Sequence, residues 1–77
     1  MRYLFQLGEG WAWSKIYFDE ATDGFVEERY HEEYLDTGTV CDGAKPISDV
    51  ALWERVVKDD NEDGIDAFLK IRGRAPV

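Results

Sequence analysis

The chain has few of the residues that staple small proteins. A single cysteine, Cys41, rules out an internal disulfide, and with a single histidine, His31, no metal-ligand spacing of the Cys/His kind exists. A lone thiol fits a reducing compartment better than a secreted one. No apolar run approaches the ~18 residues of a membrane span. The start, MRYLFQLGEG, is too short for a secretory signal, so the expected location is cytoplasmic. Neither G-x-x-x-x-G-K-[ST] nor G-x-G-x-x-G occurs, so no phosphate cradle is expected. Positive charge is also short. Nine Lys and Arg face 17 Asp and Glu, giving a net charge of −8 and a pI near 4.4. That balance repels nucleic acid and anionic lipid and favours basic partners.

What is present is aromatic mass and clustered acid. Seventy-seven residues make one domain, 1–77, and a chain of this size buries only about 60% of its unfolded surface. Three Trp, four Tyr and four Phe supply material for a small core and argue against disorder. The acid is concentrated in 19–36, DEATDGFVEERYHEEYLD. Asp19, Glu20, Asp23, Glu27, Glu28, Glu32, Glu33 and Asp36 face only Arg29, a local charge of 1 − 8 = −7. Elsewhere nine acids nearly cancel eight bases. Such self-repulsion lowers the stability of a compact state, which invites a functional reading.

Alternation over 3–7 (Tyr3, Phe5 and Leu7 against Leu4 and Gln6) predicts a strand. Gly8-Glu9-Gly10 is a turn, and 11–18 (WAWSKIYF) is a second strand that closes an antiparallel hairpin. Its two faces are Trp11, Trp13, Lys15, Tyr17 and Ala12, Ser14, Ile16, Phe18. Core packing is the expected role of Trp11 and Trp13, with an exposed interface pair as the alternative. Residues 25–36 are ambiguous. A helix capped by Asp23 lines up Val26, Tyr30 and Tyr34, with Glu28, Glu32 and Asp36 opposite and Gly38 as a stop. A strand over 25–30 pairs with the hairpin across an Asp19–Gly24 turn but segregates its residues less well. The helix is marginally preferred.

Residues 37–47, with two glycines and Pro46, predict a loop. Ser48 caps a helix whose apolar positions are Val50, Trp53, Val56 and Val57. A second helix is expected over 65–72, bearing Ile65, Phe68, Leu69 and Arg72 on one side and ending at Gly73. The resulting fold is α+β: a small antiparallel sheet of two or three strands covered by C-terminal helices.

Chemistry is harder to find. Asp59-x-Asn61-x-Asp63-Gly64 matches the first half of a calcium loop, but the twelfth position is Lys70 where a bidentate Glu is needed, and the eighth is Asp66. The plainer reading is a solvated connection with Asp63 capping the second helix. A weak divalent-cation site at 59–66 stays as an alternative. His31 and Cys41 do not make a thiol–imidazole pair, because the surrounding acids favour protonated His31, which cannot act as a base. No catalytic residue, metal site or cofactor is expected, and a non-enzymatic role follows.

The acidic stretch remains. A field of seven negative charges steers a small domain toward a basic groove and raises the association rate. Carboxylates interleaved with Tyr30 and Tyr34 can occupy a groove built for phosphates. In size, acidity and the DEATDGFVEERYHEEYLD cluster, the chain resembles phage-encoded anti-CRISPR proteins, several of which mimic DNA. The resemblance is a profile over the whole chain, with no motif. It implies binding to a basic surface of a CRISPR effector in a host cytoplasm; phage inhibitors of other DNA-binding enzymes share the profile. The expected partner-binding residues are Asp19, Glu20, Asp23, Glu27, Glu28, Tyr30, Glu32, Glu33, Tyr34 and Asp36. The competing expectation is a homodimeric structural or assembly protein joined through Trp11 and Trp13.

Overall fold

Strand alternation decides which side chains meet the helices, and it does so over more of the chain than the sequence reading foresees. The computed structural model describes residues 1–32 and 38–76. Four strands, β1 (Arg2–Leu7), β2 (Ala12–Asp19), β3 (Gly24–Glu32) and β4 (Thr39–Ile47), precede two helices, α1 (Asp49–Lys58) and α2 (Glu62–Arg72). The strands form one antiparallel meander in the order β1-β2-β3-β4, and the helices pack on one of its faces. The α+β class and the C-terminal helices are as expected, but the sheet has four strands, not two or three.

Two segments correct the expectation. The preferred helix over 25–36 is a strand across 24–32: Phe25 and Glu27 are buried, while Val26, Glu28 and Tyr30 face the other side. The strand removes the like-charge stacking at i, i+4 that a helix would impose. Asp23 sits in the β2–β3 turn at φ 54° and caps no helix. Residues 33–37, which include Tyr34 and Asp36 of the expected stripe, lie outside those described. Within the predicted loop over 37–47, residues 39–47 form β4. It accommodates Gly43 at φ 102° beside a bulge opposite Arg29–Tyr30, and it takes Pro46 because it is an edge strand.

The covered face carries Phe5, Leu7, Ile16, Phe18 and Phe25, closed by Leu52 and Val56 of α1 and Phe68 of α2. Each such side chain contributes about 1.5–3 kcal/mol on burial. Phe68 stacks on Phe25 at 5.3 Å between ring centroids and meets Trp53 at 5.1 Å. In α1 the core positions are Leu52 and Val56; Val50 and Val57, expected inside, are each 49% exposed. Ser48 caps α1 as read, accepting from the Ala51 N–H at 3.2 Å.

Helix α2 begins at Glu62, three residues before the predicted start, and its cap is Asn61, not Asp63. Asn61 Oδ1 accepts from the Gly64 N–H at 2.9 Å. Gly64 is buried inside the helix, where a Cβ would lie 2.6 Å from a Val56 methyl and 2.8 Å from the Phe5 ring. The glycine is there for close approach and does not break the chain. At the other end of α2, Arg72 reaches Asp49, Asp23 and the Asp23 carbonyl, and lies over the rings of Phe18 and Phe25. It ties the helix to the β2–β3 turn.

Candidate binding surfaces

Three polar or aromatic surfaces result from this alternation. The first is the sheet face that the helices leave open. Its cross-strand rows are Trp13–Tyr30–Cys41, Gln6–Lys15–Glu28–Ala44 and Tyr3–Tyr17–Val26–Pro46. Tyr3 belongs here and not with Phe5 and Leu7, because a bulge at Leu4 shifts the register of β1; it is 52% exposed. Trp13 is only half-buried and Trp11 is 59% exposed, so the expected core role of this pair gives way to the exposed one. Trp13 stacks on Tyr30 (5.9 Å, 8°), Tyr3 meets Tyr17 edge-on at 5.7 Å, and Lys15 Nζ lies 5.1 Å above the Tyr30 ring.

Glu28 sits at the centre of that face. Tyr17 Oη donates to its Oε1 at 3.0 Å, and Tyr30 Oη donates to the same oxygen. The Tyr30 and Tyr17 hydroxyls hold the Glu28 carboxyl below its ordinary range, with Lys15 adding to the effect. The same hydrogen bond drives the Tyr30 phenol far up; burial and then the Glu28 bond raise Tyr17. Both phenols are therefore fixed as donors.

The second surface lies between α1 and the β3–β4 half of the covered face. Glu27, 7% exposed, accepts from Ser14 Oγ at 2.6 Å, Arg55 Nη1 at 2.5 Å and Arg29 Nε at 3.3 Å, all at Oε2. Burial pushes its carboxyl up, but the Ser14 and Arg55 hydrogen bonds and the two guanidinium charges outweigh burial and leave it lowered. His31 Nδ1 lies 2.7 Å from Asp42 on this side. Cys41 pairs in register with Tyr30 on the open face, so the thiol and the imidazole project from opposite sides of the sheet.

The third surface is an end of the molecule. The β1–β2 turn, the last residue of β3 and the α1–α2 junction meet there: the Glu32 N–H donates to the Trp11 carbonyl at 2.9 Å, and Asn61 Nδ2 donates to the Gln6 carbonyl at 2.9 Å. Gln6, Gly8, Glu9, Asp59 and Asn61 line a shallow cleft between them. This end gathers Glu9, Glu32, Asp59, Asp60, Glu62 and Asp63, none in an ion pair among the described residues, with Lys58 the adjacent base. Among the described residues no group of three or more His, Cys, Asp and Glu is placed to hold a metal ion. Asn61, the central residue of the calcium-loop match, is committed to capping α2 and holding β1.

The expected partner-binding residues are thus dispersed. Asp19, Glu20 and Asp23 lie at the opposite end, in the β2–β3 turn, where Asp23 pairs with Arg72 at 3.2 Å. Glu27 is buried behind the sheet, Glu28 and Tyr30 are on the open face, and Glu32 is at the acidic end. Glu33, Tyr34 and Asp36 lie outside the described residues. Sequence reading missed Glu9 and did not join Asp59–Asp63 to the acidic stretch. The signal was present in the Asp59–Asp63 run, but its position depends on the helix junction docking against β1.

No protein-family model matches this chain, and comparison with curated proteins and with solved structures returns no match. Among the described residues no helix is long and apolar enough to cross a membrane.

Proposed function

We propose that the protein is a non-enzymatic binder that docks its acidic end on a basic, nucleic-acid-binding surface of a partner protein and competes there with nucleic acid. The observation that carries this reading is the gathering at one end of the fold of six carboxylates, Glu9, Glu32, Asp59, Asp60, Glu62 and Asp63, that make no ion pair among the described residues. At the other end Arg72 neutralises Asp23 and Asp49. A one-sided field of this kind steers association and gives it a strong salt dependence. The partner class is a protein with a phosphate-binding groove, of which a CRISPR effector is one example.

The location of the surface is testable. Affinity capture from a cell extract is compared for the native chain, a variant neutralised at the acidic end (Glu9→Gln, Glu32→Gln, Asp59→Asn, Asp60→Asn, Glu62→Gln) and a control neutralised elsewhere (Asp19→Asn, Glu20→Gln, Glu54→Gln). Loss of capture by the first variant alone is expected. Equal capture by all three, with circular dichroism showing all folded, contradicts the reading.

A further inference from the structure

The open sheet face has a charge and shape pattern that fits itself. Lys15 and Glu28 are cross-strand neighbours on β2 and β3 at its centre. Bulk is divided in the same way. The β1–β2 half carries Tyr3, Trp13 and Tyr17, and the β3–β4 half carries Val26, Cys41, Ala44 and Pro46 around a single large ring, Tyr30. We propose that this face is a self-association surface, on which two copies stack sheet against sheet about a twofold axis running parallel to the strands between β2 and β3.

That axis exchanges the β2 and β3 positions and the β1 and β4 positions. Lys15 of each copy then faces Glu28 of the other, Trp13 faces Tyr30, and Tyr17 faces Val26. The large Tyr3 meets the small Pro46 edge. Ring meets ring at Trp13 and Tyr30, Tyr17 and Tyr3 fall on the smaller Val26 and Pro46, and cation falls on anion, so the face is self-complementary as an isologous contact requires. A twofold across the strands would instead set Lys15 against Lys15. Two sheets packed face to face in this way sit about 10 Å apart with strands nearly aligned.

Area sets the strength. Four strands about 4.8 Å apart and about seven residues long give a footprint near 19 Å by 23 Å, about 440 Å² per copy before side-chain relief is counted. The pair buries close to the ~1,000 Å² at which specific interfaces begin, so the dimer is weak and forms in the micromolar range or above. The axis leaves both acidic ends pointing the same way, and their repulsion keeps association weak. The inference stands independently of the acidic-end proposal, since the face and the end are different surfaces.

Sedimentation velocity from about 5 μM to about 1 mM tests it, because mass action makes a weak dimer concentration-dependent. The native chain is expected to pass from monomer to dimer. Lys15→Glu and Glu28→Lys each set like charges across the axis and are expected to raise the dissociation constant at least about tenfold, with monomer the result over most of the range. An equimolar mixture of the two variants is expected to dimerise. In that mixture every cross-axis pair is opposite in sign, while within each chain positions 15 and 28 still carry like charges, so only contact between chains explains recovery. A native chain that stays monomeric at about 1 mM overturns the proposal. So does a dimer whose strength neither reversal changes, or single variants that do not recover on mixing while circular dichroism shows both folded.

Discussion

Glu27 and Glu28 are neighbours in sequence and opposites in environment. One is buried under two guanidinium groups, and the other lies among tyrosines on the open face. The difference is a single step of strand alternation. Glu27 has a stability consequence with a definite sign. Its folded carboxyl is held below the ordinary value of 4.5, so the unfolded chain takes up protons first on acidification. Its contribution is complete above about pH 4.5 and is lost as pH falls through the lower folded value. Glu27→Gln is expected to cost about 1–2 kcal/mol at pH 7, less than the about 3–5 of a fully enclosed broken pair, because the Arg55 partner is 37% exposed. Denaturant melts at pH 7 and pH 3 check this: the gap between native and variant should be smaller at the lower pH. Gly64 gives a second case. Gly64→Ala gains about 1 kcal/mol of helix propensity, yet its Cβ collides with Val56 and Phe5, both in the core, so a net loss of about 1–2 kcal/mol is expected from the melting curve.

The helices are held at their starts by side chains of unequal reach. Ser48 makes one capping bond, whereas Asn61 caps α2 and also donates to the Gln6 carbonyl, anchoring the α1–α2 junction on β1. Ser48→Ala is expected to cost about 1 kcal/mol and Asn61→Ala about 2, because the second also leaves the Gln6 carbonyl without this donor. Equal losses in parallel denaturant titrations would contradict the anchoring role. Local pattern made β1, β2 and α1 legible in the sequence, since alternation, a Gly-rich turn and a serine cap are all local signals. It failed for β3 and β4. In β3 the wet face carries Glu28 and Tyr30 beside the apolar Val26, and the covered face carries Glu27, so hydrophobic alternation is blurred on both sides. In β4 an edge position tolerates Gly43 and Pro46, residues that read as loop. The bulge that turns Tyr3 to the open face depends on pairing with β2 and leaves no mark in β1 itself.

At the scale of the molecule, the run of acid that dominates the sequence does not become one patch among the described residues. Alternation sends its members to two faces and two ends, and the acidic end is rebuilt from Glu9, Glu32 and Asp59–Asp63. Charge excess and the lack of an internal disulfide were legible from composition alone. Where the charge lies was not, because it is set by the docking of the helix junction on β1. The central claim is competition with nucleic acid for a basic surface, and the measurement that tests it most directly is capture of the partner from extract, repeated with added duplex DNA and with rising salt. The account predicts that excess duplex releases the partner and that binding falls steeply between about 50 and 200 mM salt, as for phosphate-binding surfaces. Capture that survives both excess duplex and high salt would contradict it.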